Sequence, residues 1–136
     1  MSQSLSISLV QQQFPIGAVR QNVLRVIELA AEAATDLVVF PELTLTGYPP
    51  EDLLYRDDLL QLVEAGLADI QAAAYPGVLV IGHPWREHGV LYNAASVIQN
   101  GKLIGHVGEL HPQWRQSWQS GRTAGPLSPL MGRMRI

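Results

Sequence analysis

The sequence predicts an α/β fold, and three observations carry that reading. An alternating polar–apolar stretch at Ser4 to Gln11 and short apolar runs at Leu37 to Phe40 and Val78 to Ile81 each end near Pro or Gly. Between them lie two longer stretches whose apolar residues return at helical spacing. The opening order is therefore strand–helix–strand, the pattern of a layered α/β domain. At 136 residues the chain is one domain or part of one. Folding would bury roughly two-thirds of the surface its unfolded chain exposes. Hydrophobic residues make up 47 % and charged residues 15 %, well below the roughly 25 % charged of an average domain. That composition excludes a largely disordered chain.

Each element has a local reason. Ser4 to Gln11 alternates polar and apolar residues and reads as a first strand, broken by Pro15 and Gly17. Val19, Val23, Val26, Ile27, Ala30 and Ala34 then share one helical face, with Gln21, Arg25, Glu28 and Glu32 on the other. Leu37 to Phe40 is a continuous apolar run with two β-branched residues, short enough to be a strand buried on both faces. Pro41 has no N–H to donate, so the strand stops there. In the loop that follows, Pro49-Pro50 stiffens the backbone and Glu51-Asp52 opens a short helix, where the dipole favours acids. Asp57-Asp58 opens a longer helix with Leu59, Leu60, Val63, Leu67, Ile70 and Ala74 as its buried stripe, ended by Pro76-Gly77. Val78 to Ile81 is a third strand, closing at Gly82-His83-Pro84. Leu91 to Ile98 and Leu103 to Val107 flank Asn100-Gly101, a strong hairpin signal.

One residue on this scaffold stands out chemically. Glu42 is the first ionisable group beyond a buried strand, and strand ends are where open α/β sheets gather ligands and catalytic groups. Held against Phe40, Leu43 and Leu45, its carboxylate would be partly desolvated and suited to general-base work. Position alone is also compatible with a solvated turn carboxylate.

Charge and composition narrow the remaining classes. Net charge is −3 but unevenly spread. The twelve acids all lie in residues 1–110, with five bases (Arg20, Arg25, Arg56, Arg86, Lys102), a local net of −7. His111 to Ile136 carries four arginines and no acid, a local net of +4. Four scattered arginines are a thin footprint for nucleic acid, so no nucleic-acid partner is expected. There is no cysteine, which excludes disulfides and thiolate metal sites. His83 and His88 are five positions apart, as are His106 and His111, which is not the spacing of two ligands on one helical face. No metal is expected. The chain has no dinucleotide or phosphate-loop glycine motif and no Gly-x-Ser-x-Gly elbow. No apolar run reaches membrane-spanning length and no signal-peptide pattern opens the chain, so a soluble cytoplasmic protein with no membrane partner is expected.

Phe-Pro-Glu-Leu-Thr-Leu-Thr-Gly-Tyr-Pro-Pro-Glu-Asp-Leu-Leu, Phe40 to Leu54, resembles the first catalytic motif of the nitrilase (carbon–nitrogen hydrolase) superfamily. Gly47-Tyr48-Pro49-Pro50-Glu51-Asp52 narrows the resemblance to the amidase domain of glutamine-dependent NAD synthetases. Ser8 to Gln11, Leu91 to Ala95 and Gln99 to Gly105 resemble the same domain. The resemblance implies an α-β-β-α sandwich, of which this chain holds an incomplete N-terminal half. It implies glutamine as substrate, Glu42 as general base and Tyr48 in the substrate pocket. It also implies that ATP and deamido-NAD belong to a synthetase domain outside these residues, so that this chain carries no cofactor. Its partner would be a second copy or the missing half of the domain.

The chain also departs from the family pattern. Aligned on Lys102, His111 and Pro112, the family's catalytic lysine position holds Glu109. Lys102 is the only lysine, lies seven residues upstream and reads as a solvated turn residue. In the family the lysine stabilises the oxyanion that forms when the amide carbonyl is attacked. Losing one such donor costs about 3–4 kcal/mol of transition-state stabilisation, and a carboxylate reverses the sign. The family nucleophile is a cysteine, absent here. Thr123 to Pro126 and Met131 to Ile136 resemble the segments leading to the strand that carries it, and the chain stops before that strand. Trp114 to Gly121 matches poorly. The organisation predicted is thus residues 1–110 as the N-terminal part of a nitrilase-like amidase domain and 111–136 as a divergent basic tail. The function predicted is a fragment of the ammonia-supplying glutamine amidohydrolase domain, inactive alone. Two alternatives stay open: another amidase of the superfamily, or a non-catalytic interaction module on the same scaffold.

Overall fold

The computed structural model describes residues 3–109. They form five strands, β1 (Ile7–Leu9), β2 (Leu37–Val39), β3 (Val78–Glu87), β4 (Val90–Gln99) and β5 (Lys102–Glu109), and two helices, α1 (Val19–Ala33) and α2 (Asp57–Ala72). A short 3-10 turn, Glu51–Tyr55, precedes α2. All five strands lie in one sheet in chain order. β1 and β2, and β2 and β3, pair in parallel across the two helical crossovers. β3, β4 and β5 form an antiparallel meander.

Both helices cover the same face of the sheet. Val19, Val23, Val26 and Ala30 of α1 pack with Leu59, Val63, Leu67 and Ile70 of α2 over Val38, Leu79, Ile81 and Ile98. The α2 start is held by charge: Asp57 and Asp58 occupy its first turn, Arg56 bonds Asp58 at 2.7 Å, and Arg86 from β3 pairs with Asp57. Among the described residues the opposite face carries no helix. There Ile7, Leu9 and Val107 are 52 %, 72 % and 48 % exposed, and Leu37, Val39, Val80 and Val97 between them are half-buried. The structure is one sheet and one helical layer of a sandwich.

Several element limits differ from those the sequence implies. β1 covers three residues of the predicted eight, because β2, its one neighbour, is itself three residues long. The first strand's apolar residues Leu5, Ile7 and Leu9 are all exposed, rather than turned to the helices. In β2, Val38 is buried under the helices while Leu37 and Val39 stand half-open on the bare face, so burial on both faces is not met among the described residues. Ala34 and Ala74 fall outside the helices assigned to them; both have positive φ (49° and 52°) and are exposed. β3 runs on through Gly82-His83-Pro84 to Glu87. Opposite β3, β2 reaches only Val80, so Pro84 has a ladder neighbour on one side alone, and a missing N–H is tolerated. A second two-residue hairpin turn, His88-Gly89, closes β3 on β4 with φ of 50° and 76°, matching the 49° and 74° of Asn100-Gly101. In β5 the pairing shifts beside Val97 and Ile98, leaving Ile104 as the extra, exposed residue of a bulge. The predicted tail, residues 111–136, lies outside the described residues.

Candidate active site

The loop after β2 is built to hold its backbone in and Glu42 out. Leu43, Thr44, Leu45 and Thr46 are all buried, whereas Glu42 is exposed. Phe40 N–H donates to Val80 O at 2.9 Å and Leu45 N–H to Gly82 O at 3.3 Å, fastening the loop on both sides of Glu42 to β3. Inside the loop, Thr44 Oγ1 donates to Pro41 O at 2.6 Å and Thr46 N–H to Leu43 O at 3.2 Å. From below, the buried Asn22 of α1 donates to Leu45 O at 3.1 Å and to Pro15 O at 2.9 Å. Leu43, next to Glu42, has φ of 51°, a conformation that costs a bulky residue energy and persists only where surroundings enforce it.

Glu42 opens onto a cleft of about 680 Å³ lined by Gln12, Phe14, Ile16, Pro41, Glu42 and Tyr48, among others. That volume is ordinary for a small-molecule site. Tyr48, expected in the substrate pocket, lines the cleft and is 63 % exposed. The desolvation expected for Glu42 is not provided by Phe40, Leu43 and Leu45, which turn inward while the carboxylate projects to the bare sheet face. On that face the structure supplies a partner the sequence reading did not single out. Asn93 Nδ2 of β4 donates to Glu42 Oε1 at 2.5 Å. Asn93 is in register with Pro84 on one side and Glu109 on the other. Glu109 thus stands across from the residue that grips Glu42, where the hairpin alignment places the lysine position. A signal for Asn93 existed: it is a polar residue in the otherwise small and apolar run Leu91 to Ile98, on the parity of Ala95 and Val97.

Chemically, the arrangement ties one carboxylate oxygen to an amide donor on a side chain that lines the cleft. A carboxylate lining such a cleft can accept a proton from a group bound there. Among the described residues no three His, Asp or Glu side chains gather into a metal site, and no helix is long and apolar enough to cross a membrane. A second cavity of about 450 Å³ lies at the opposite end of the sheet, lined by Ile27, Ala30, Ile70, Tyr75 and Leu79, among others. It is mostly apolar, with Thr35 and Asp36 at its edge, and its lining does not include Glu42.

Comparison with known proteins places this geometry in a class. The family described as "Carbon-nitrogen hydrolase" matches residues 6–135. The chain belongs to the carbon–nitrogen hydrolase family. Among curated relatives, the glutamine-dependent NAD(+) synthetase of Xanthomonas campestris pv. campestris (strain 8004) is 47 % identical over 104 residues, 74 % of this chain and 19 % of that protein. The protein of the same name from Mycobacterium tuberculosis (strain ATCC 25618 / H37Rv) is 38 % identical over 115 residues, 80 % of this chain and 17 % of that one. The chain thus spans about a fifth of the length of these relatives. Among solved structures, glutamine-dependent NAD+ synthetase from Acinetobacter baumannii superposes with a TM-score of 0.73 at 32 % identity, covering 77 % of this chain and 20 % of that chain. An amidase from Nesterenkonia sp. shares the fold, with a TM-score of 0.68 at 20 % identity over 77 % of this chain and 42 % of that chain.

Proposed function

We propose that this chain is the N-terminal part of the glutamine amidohydrolase domain of a glutamine-dependent NAD synthetase, a cytoplasmic ammonia-supplying unit in which Glu42 is the general base. The observation that carries the reading is the presentation of Glu42, at the end of β2, into a cleft beside Tyr48. The names of the relatives support the substrate class. In this reading the carboxylate of Glu42 takes the proton of an attacking thiol, and glutamine yields ammonia by way of a thioester. The thiol is not among these 136 residues, which hold no cysteine. Glu109, across from Asn93, sets a negative charge near the place where the oxyanion develops. ATP and deamido-NAD bind elsewhere in the protein, and the missing part of the domain, or a second copy, covers the bare sheet face.

Two constructions test this. The 136-residue chain alone should release no ammonia from glutamine above buffer. Residues 1–109 joined to the cysteine-bearing remainder of the Xanthomonas campestris domain, with Glu109→Lys, should release it. Restoring Glu109 in that chimera should slow release by at least about 10²–10³-fold, the size of one lost oxyanion donor, because the carboxylate also repels the developing charge. Glu42→Gln should abolish it. Release by the unaltered chain, or a chimera indifferent to Glu42→Gln, would overturn the reading.

A further inference from the structure

We propose that Asn93 is the positioning residue for the Glu42 carboxylate: its amide holds Oε1 and leaves Oε2 as the oxygen that accepts the proton. The inference rests on the reading of Glu42 as general base and adds the residue that aims it. The bond is 2.5 Å long and joins residues 51 positions apart. Among the described residues it is the one hydrogen bond the Glu42 side chain makes. The two ends of the contact differ in rigidity. Glu42 hangs from an irregular loop beside a residue at φ 51°. Asn93 is fixed in β4, with a ladder neighbour on each side, and strands place functional groups more precisely than loops.

The residue type fits the task. A primary amide donates through nitrogen and does not titrate, so it can orient a carboxylate without competing for the proton that carboxylate must take. A lysine at the same place would compete for the charge, and an aspartate would repel it. With Oε1 occupied, the free lone pairs of the base point to the cleft rather than along the sheet. Specific placement of a general base within hydrogen-bond reach of its proton is what its efficiency depends on.

The test is carboxyl footprinting of the purified 136-residue chain with a water-soluble carbodiimide and an amine, read residue by residue by peptide mass spectrometry. Glu64 on α2, also exposed, is the internal reference. In the unaltered chain Glu42 should label about tenfold more slowly than Glu64, the lower end of the effect a single charge-assisted hydrogen bond gives. Asn93→Ala and Asn93→Asp should both bring Glu42 up to the reference rate. Asn93→Gln, the same amide on a longer arm, should restore part of the protection, which a merely space-filling role would not. A Glu42 that labels as fast as Glu64 in the unaltered chain overturns the proposal. So does a Glu42 rate unmoved by both Ala and Asp while Glu64 is unchanged. Labelling is done at a concentration where sedimentation shows monomer alone, so that association through the bare face does not shield Glu42; if the Ala and Asp variants unfold, the Glu42 rate in Asn93→Gln against the unaltered chain decides. An active chimera indifferent to Glu42→Gln would remove the base reading and this role with it, whereas an unmoved footprint removes Asn93 alone.

Discussion

Gly82 of β3 lies directly against the backbone of Glu42. A Cβ at Gly82 would press on the Pro41 carbonyl oxygen, 2.7 Å from Leu43 N and 2.9 Å from Glu42 Cα. The carboxylate therefore owes its place to a missing side chain as well as to the amide of Asn93. All three nearest atoms are backbone, so no rotamer change can relieve the clash.

Gly82→Ala should accordingly destabilise the chain by about 1–3 kcal/mol, the usual penalty of overpacking a tight contact. Thermal melting checks this. The control is Gly105→Ala, since a Cβ there meets nothing within 4 Å. Equal melting temperatures for the two variants would show that the loop gives way freely.

A second prediction concerns pH. His83 is fully buried; its Nδ1–H donates to Pro84 O at 3.0 Å, so Nε2 accepts from Ser96 Oγ–H at 2.6 Å. Burial pushes its pKa down to about 4, the Pro84 carbonyl opposes that shift, and the nearby His106 adds to it. The folded state thus resists a proton that the unfolded chain accepts near pH 6.5. Stability is full above about pH 6.5 and is lost as pH falls towards about 4, at roughly 1.4 kcal/mol per pH unit within that window. Melting temperature should fall over that interval, and His83→Gln should flatten the fall. A melting temperature that rises on acidification would contradict it.

Asn22 offers a third. Its side chain is buried and satisfies the carbonyls of both Pro15 and Leu45. Asn22→Leu keeps the branched outline, with somewhat bulkier ends, but strands two acceptors, at a cost of about 1–3 kcal/mol for each one left dry. Hydrogen exchange should show the effect first in the loop around Leu45. Uniform loss of protection across β3 and β4 instead would mean that Asn22 supports the core at large rather than the loop.

The bare sheet face predicts self-association of the isolated chain. Ile7, Leu9 and Val107 are exposed on it, and β1 and β5 are unpaired edges within the described sheet. Sedimentation should show concentration-dependent species, and an apolar-surface dye should bind. Leu9→Lys with Val107→Lys should reduce both. A monodisperse monomer with a sharp two-state melt and no dye binding would sink the prediction.

Much of this architecture was legible because its signals are local. Leu37 to Phe40 followed by Pro41 marks a strand with a sharp end, and Asn100-Gly101 specifies a turn whose φ values only such residues adopt cheaply. Glu42 was legible for the same reason, as the first charge past that end. What escaped was set by partners far along the chain. Pro84 reads as a strand stop until β2 is known to end opposite Val80. His88-Gly89 forms the same turn as Asn100-Gly101, but histidine is a weaker signal for positive φ than asparagine. Asn93 is invisible as a partner of Glu42 because only the register of β3 and β4 carries it to the loop. The expected shielding of Glu42 failed for a related reason: its apolar neighbours in sequence point through the loop to the other side.

The order of the sheet, β1 to β5 exactly as the chain runs, bears on how the chain is made. A ribosome delivers the strands in the sequence in which they must pair, and each new strand adds at the same growing edge. No earlier pairing has to reopen to admit a later one. The last three strands close through two-residue turns, a step of microseconds, whereas each parallel pairing waits on a helical crossover. Among the described strands the last two pairings are therefore the fastest to form, and the meander can close as soon as β5 has emerged.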